Sequence, residues 1–185
     1  MGTKRIVSVF FWTFVISGAV NYFSEKAGAH SAIVTSLVLL FLVISIGIIF
    51  DIIGTAATAA TNASLNAMAA KRIKGSTQAL WLTKRADSVA NFCNDFVGDI
   101  CGTLSGAIVV SLMIKVISMY DVVNAALLSA AGVALVSAVT VGGKALGKGV
   151  AVNWSEGVLI IVGKIILFIE DVLKINLTKP KKHKK

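Results

Sequence analysis

Residues 36–51 read SLVLLFLVISIGIIFD, an apolar run broken only by Ser45 and Gly47 and closed by Asp51. With its flanks, Ala32 to Ile53, it supplies the ~20 apolar residues that a membrane-spanning helix needs. A helix apolar on every side belongs in a large core or in lipid. The chain has 185 residues, 56% of them hydrophobic and only 15% charged. A soluble domain of that length cannot hide so much apolar surface, so lipid is the expected solvent.

Working outward, three more segments are long enough to span: Ile6 to Tyr22, Val97 to Ile117 and Val122 to Val141. A shorter stretch, Val158 to Val172, carries Lys164, Glu170 and Asp171. The expected fold is all-α: a polytopic membrane helix bundle with about four transmembrane helices, short cytoplasmic-side helices and a C-terminal juxtamembrane helix. Residues 1–31 form the N-terminal transmembrane helix and outer loop, and 32–154 the main transmembrane domain. Residues 155–178 form the juxtamembrane helix and 179–185 a basic tail. The first segment also reads as a signal peptide, with a basic start and a small-x-small site at Ser17-Gly18-Ala19.

The formal net charge is +9, and its placement sets the topology. Lys71, Arg72, Lys74, Lys84 and Arg85 all fall in the loop from 54 to 96, whereas the loops 23–31 and 118–121 contain Lys26 alone. By the positive-inside rule the 54–96 loop is cytoplasmic and so is the C-terminus. Residues 155–173 then lie as an amphipathic helix along the inner surface or packed under the bundle, a re-entrant course being the alternative. Because every basic block flanks an apolar segment, the partners expected are the bilayer and, at the tail, anionic lipids, not nucleic acid.

Local signals refine this frame. In GTAATAATNASLNAMAAKRIKG, residues 54–75, Thr58, Asn62 and Asn66 form a ridge at intervals of four, Lys71, Arg72 and Lys74 suit a helix C-terminus, and Gly75 is a stop. A second helix starts near Ser76 or Thr77 and runs through QALWLTKRADSVANFCNDF. Ala126, Ala130, Ala134 and Ala138, with Gly132 beside them, offer a close-packing face, as do Gly102 and Gly106. The glycines at 142, 143, 147 and 149 read as a flexible turn. Cys93 and Cys101 read as small buried thiols.

Asp87, Asn91, Asp95, Asp99 and Thr103 recur every fourth residue, with Asn94 on the same broad face. A carboxylate inside a membrane is costly and usually faces a cavity, a partner or an ion path. Oxygen-rich faces suit hard cations such as Mg²⁺. The row is therefore either an ion-facing wall or a wet interface in which Asp99 pairs with a lysine. Asp51 is a further candidate, and Asp51–Lys144 and Asp99–Lys144 pairs are both open. His30 and His183 stand alone, and the sequence has no nucleophile elbow, phosphate loop or His/Glu metal motif. Neither an enzyme nor a resident cofactor is expected.

From Phe50 to about Ile166 the chain resembles the transmembrane domain of the CorB/CorC and cyclin-M (CNNM) magnesium transporters. The residues carrying the likeness are Phe50, Thr55, Ala56, Thr58, Leu65, Met68, Ala69 and Ala79-Leu80. Asn94, Asp95 and Asp99 in CNDFVGDI add to it, as do Gly143, Lys144, Gly147 and Lys148, followed by AVNWSEGVLIIVGKII. Where the family has ion-site serines this chain has Asp51 and Ile53. Gly54 and Lys144 replace its glutamates, Gly147 replaces its proline, and Asp95 and Asp99 replace its two asparagines. After the juxtamembrane helix come only the residues LTKPKKHKK, where the family carries nucleotide-binding CBS domains. The resemblance implies a homodimeric membrane domain in a bacterial or archaeal plasma membrane, with ion-transport ancestry. The leading expectation is a divergent transporter domain for Mg²⁺ or another divalent cation, with Asp51, Asn91, Asn94, Asp95 and Asp99 at the ion. The alternatives are a non-transporting structural or regulatory homologue in which Lys144 replaces the cation, and a holin-like pore protein.

Overall fold

The structure, a computed structural model, describes residues 33–120 and 124–174 together with eight helical positions between 7 and 22. Every element among the described residues is helical: α1 Ile33–Ala59, α2 Asn62–Ala70, α3 Ser76–Thr83, α4 Ala86–Ala90, a π-helical segment Asn91–Val97, α5 Gly98–Tyr120, α6 Ala125–Asn153 and α7 Ser155–Leu173. Three stretches are long and apolar enough to cross a membrane: Ile33–Ala59, Ala86–Tyr120 and Ala125–Asn153. The expected count of four becomes three among the described residues, because the expected first span, Ile6 to Tyr22, lies largely outside them. The described positions there, Val7, Phe10, Phe11, Phe14, Val15, Gly18, Ala19 and Tyr22, are helical and exposed.

The helix ends differ from the sequence expectation in instructive ways. α6 does not turn at its glycines but continues to Asn153. Glycine in a helix interior costs about 1 kcal/mol relative to alanine, and close packing offsets this at Gly143, where a Cβ would lie 2.5 Å from Ile48 Cδ1. At its start the side chain of Asn124 accepts a hydrogen bond from the Leu127 amide at 3.1 Å, a regular N-cap. α1 runs to Ala59, so the ridge Thr58, Asn62 and Asn66 is divided between two helices. α2 ends at Ala70, before the basic residues, and the chain reverses with Arg72 in the left-handed region (φ 54°). Gly75 (φ 85°) does not stop α2 but opens α3, where only glycine takes that conformation freely.

Two compact units form. α1, the π segment and α6 contribute to both, dividing at Phe50/Asp51, Asn94/Asp95 and Ala145/Leu146. In the first unit Leu40, Ile44 and Ile108 are buried together, with Leu39, Val43, Ile48 and Val136 against them. Close approaches here use Gly47, whose Cβ would meet Cys101 Cβ at 3.0 Å, and Gly132, whose Cβ would meet Met113 Sδ at 2.5 Å. Gly102 and Gly106 face open space, and Ala126, Ala130, Ala134 and Ala138 are exposed, so the alanine row is not packed among the described residues. Phe41, Leu42, Ile114 and Leu135 are also exposed, as lipid-facing side chains are. Cys93 and Cys101 are free and buried, as expected.

The second unit is built from small residues. Ala56, Ala57, Ala79 and Ala151 are fully buried with Leu65 and Leu159, and Leu82 and Val158 join them. α3 packs along α7, and at their crossing the backbones touch. A Cβ on Gly163 would strike the Gly75 carbonyl oxygen, and one on Gly75 would lie 2.6 Å from the Lys164 amide nitrogen. Farther along, Gln78 Nε2 donates to Glu170 Oε2 at 2.8 Å in a buried pair. Thr61 Oγ1 donates to Glu156 Oε1 at 3.2 Å, tying the start of α2 to that of α7. Arg85 stacks on Trp81, 4.4 Å from the ring centre.

Two stability predictions follow from this unit. Gly163→Ala should cost about 1–3 kcal/mol by overpacking, whereas Gly102→Ala, in open space, should be neutral or slightly stabilising; unfolding in detergent micelles measures both. The Glu156 carboxyl is held below its ordinary value by its own backbone amide, against an opposing effect of burial, with help from the Ser155 and Thr61 hydroxyls. Its contribution is therefore present above the ordinary glutamate range and is lost as pH falls through the lowered folded value. Acidification should lower the unfolding temperature of the wild type more than that of Glu156→Gln.

Candidate functional site

The five residues expected at the ion have very different surroundings. Asn91, Asp95 and Asp99 are exposed; Asn94 is half-buried; Asp51 is buried, with 4% of its surface accessible. Asp87 and Thr103, at the ends of the four-residue row, are exposed as well. The row is a continuous outer face, and the Thr103 hydroxyl turns back to donate to the Asp99 carbonyl at 2.9 Å. Positions spaced by four drift around an α-helix by ~40°. The i→i+5 bonding of Asn91–Val97 widens the turn, lowers the rotation per residue and opposes that drift.

Length explains how such a row is tolerated. Ala86–Tyr120 has 35 residues, about 52 Å of helix, against a hydrocarbon core of about 30 Å. The stretch Ile100 to Met119, whose one charged residue is Lys115 toward its far end, is about long enough to fill that core. Asp87, Asn91 and Asp95 then fall beyond it, and Asp99 at its edge.

Asp51 has no such escape. It sits on α1 directly after the apolar run, and its Oδ2 is buried with no hydrogen-bond partner. Among the described residues no donor satisfies that atom. One helical turn on, at the i, i+3 position on the same face, is Gly54. The side chain of Asn94 lies where a Cβ of Gly54 would be, its Oδ1 and Cγ pressed against the bare backbone. Asn94 Oδ1 is likewise buried without a partner. The described part of the chain thus holds two orphaned buried side-chain oxygens, both in the second unit, one on Asp51 and one pressed against Gly54 three residues on.

A buried acceptor left unsatisfied costs about 1–3 kcal/mol, and more if charged. Native structures keep such groups rarely, and a missing ion or catalytic role is among the usual reasons. The π segment that presents Asn94 fits that pattern, because π turns are concentrated at functional positions. Both atoms are acceptors, so a hydrogen-bond donor or a cation is the kind of group that would satisfy them. Among the described residues no three His, Cys, Asp or Glu side chains gather as a metal site. What the pair presents is one carboxylate oxygen and one amide oxygen.

The sequence pointed at Asp51 and Asn94 separately but not at their common seat. Gly54 registered only as the residue that follows a span and stands where the resembled family has a glutamate, and no residue pattern announces a π turn. Gly54→Ala should displace Asn94 and lower the unfolding temperature, while Gly54→Ala/Asn94→Ala should recover part of the loss. A double mutant no better than the single would show that Asn94 does not rest on Gly54. In comparisons with known proteins, no family model, no curated relative and no solved structure matches the chain.

Proposed function

We propose that this integral membrane protein binds and moves a cation, as a divergent member of the divalent-cation, magnesium-like transporter domains that it resembles. Asp51 and Asn94 are the oxygens that meet the ion inside the protein, while Asn91, Asp95 and Asp99, on the third expected span, are the alternative residues. The observation carrying this reading is the pair of buried, partnerless oxygens at Gly54. Two protein ligands suit an ion that keeps several waters, as Mg²⁺ does with one or two carboxylates.

Orientation follows from charge. The α1–α5 connection carries Lys71, Arg72, Lys74, Lys84 and Arg85, and so faces the cytoplasm. The exposed alanine row of α6 supports a homodimer, since small faces let helices approach in lipid.

The test is thermal unfolding of the purified chain in detergent, with and without Mg²⁺. Mg²⁺ should raise the wild-type unfolding temperature by several degrees through mass action. Asp51→Asn and Asn94→Ala should abolish the rise while leaving the protein folded. A rise that survives both changes but disappears in Asp95→Ala or Asp99→Ala moves the site to the outer row. No rise with any divalent cation favours the non-transporting structural homologue.

A further inference from the structure

A second feature of the same chain is independent of the cation site. Between α2 and α7 lies a cleft of about 670 Å³, with Met68, Ile73, Ile160 and Ile161 among its lining residues. That volume is in the range of small-molecule sites, about 300–1,000 Å³. Its walls are apolar in the middle and charged at the ends. At one end the Trp154 indole lies over Gly157, in the space a side chain there would fill. Beside it the Glu156 carboxyl is held low in pKa by its backbone amide and by the hydroxyls of Ser155 and Thr61, so it is ionised at neutral pH.

The other end is positive. Lys164 lines the cleft, and its backbone amide is in contact with Gly75, the residue after Lys74. Ile73, itself a lining residue, lies between Arg72 and Lys74, and Lys71, Arg72, Lys74 and Lys164 are all exposed. The cleft also joins a lipid-type surface. Ile161 lines it and begins the exposed apolar row Ile161, Ile165, Phe168 and Val172, on the face of α7 turned away from α3. Such a row at helical spacing is how an interfacial helix sinks into a bilayer.

We propose that this cleft is a binding site for one anionic phospholipid drawn from the surrounding bilayer. An acyl chain lies against Met68, Ile73, Ile160 and Ile161, and the phosphate lies at Lys164 and Lys74. Glu156 repels the headgroup from the other end and so fixes its direction. Trp154 closes that end, in the role aromatic residues take at membrane interfaces. The continuity of the cleft with the apolar row gives a bilayer lipid lateral entry, which a soluble anion does not need.

Native mass spectrometry of the full chain in detergent, titrated with phosphatidylglycerol or phosphatidylcholine, tests this. One phosphatidylglycerol should be retained at concentrations where phosphatidylcholine is not, and excess inorganic phosphate should not displace it. Lys74→Gln/Lys164→Gln should weaken binding about thirtyfold, at about 1 kcal/mol for each of the two lost cations. Met68→Trp, which fills the cleft and leaves its charges in place, should also remove the bound lipid. Equal retention of phosphatidylcholine, displacement by inorganic phosphate, or unchanged binding in both variants with unfolding temperatures like the wild type would overturn the proposal. Should the double glutamine variant not fold, Met68→Trp alone decides.

Discussion

Backbone placed in lipid has no water to bond, so its amides and carbonyls must satisfy one another. That constraint makes every described element of this protein a helix, and it governs the side chains too. Ser105 returns its hydroxyl to the Cys101 carbonyl at 2.7 Å, Thr140 to Val136 at 2.8 Å and Thr83 to Ala79 at 3.1 Å. Each is a polar group in an apolar setting that closes its bond on the helix that carries it. Against this habit the unpaired oxygens of Asp51 and Asn94 stand out, because a carboxylate or amide oxygen accepts only and helix backbone nitrogens are already engaged.

Close approach is the second theme. Hydrophobic burial contributes little to helix association where the solvent is itself apolar, so contact between backbones and small residues carries more of it. Gly75 against Gly163 and the fully buried Ala56, Ala57, Ala79 and Ala151 are that kind of contact. The same economy of side chain at Gly54 admits Asn94, and at Gly157 admits the Trp154 indole. Glycine here marks where one element is allowed against another, more than where the chain turns.

Much of the fold was legible in advance. The run from Ser36 to Asp51, the helix start at Ser76 and the course of residues 155–173 are local patterns that the structure keeps, but the first helix runs on to Ala59 and the helix expected to continue from Ser76 through Phe96 breaks after Thr83. The candidate site was only half legible. Asp51, Asn94, Asp95 and Asp99 are all conspicuous in an oily chain, yet nothing local separates the buried aspartate from the two exposed ones. Gly102 and Gly106 looked like packing glycines, but their neighbours are open space, while Gly47 and Gly132 meet Cys101 and Met113.

The sequence by itself determined the solvent and the secondary structure: hydropathy fixes the lipid, and the backbone's need for internal hydrogen bonds then leaves only helices. Tertiary structure alone decided which polar atoms lost their partners and which glycines were pressed. Gly54 and Asn94 are forty positions apart in the numbering, and a helix registers only neighbours three or four residues away. The π segment shifts the phase of everything after Asn91 without any residue that signals it. Burial of Asp51 is therefore a property of the assembled helices, not of the run that ends on it.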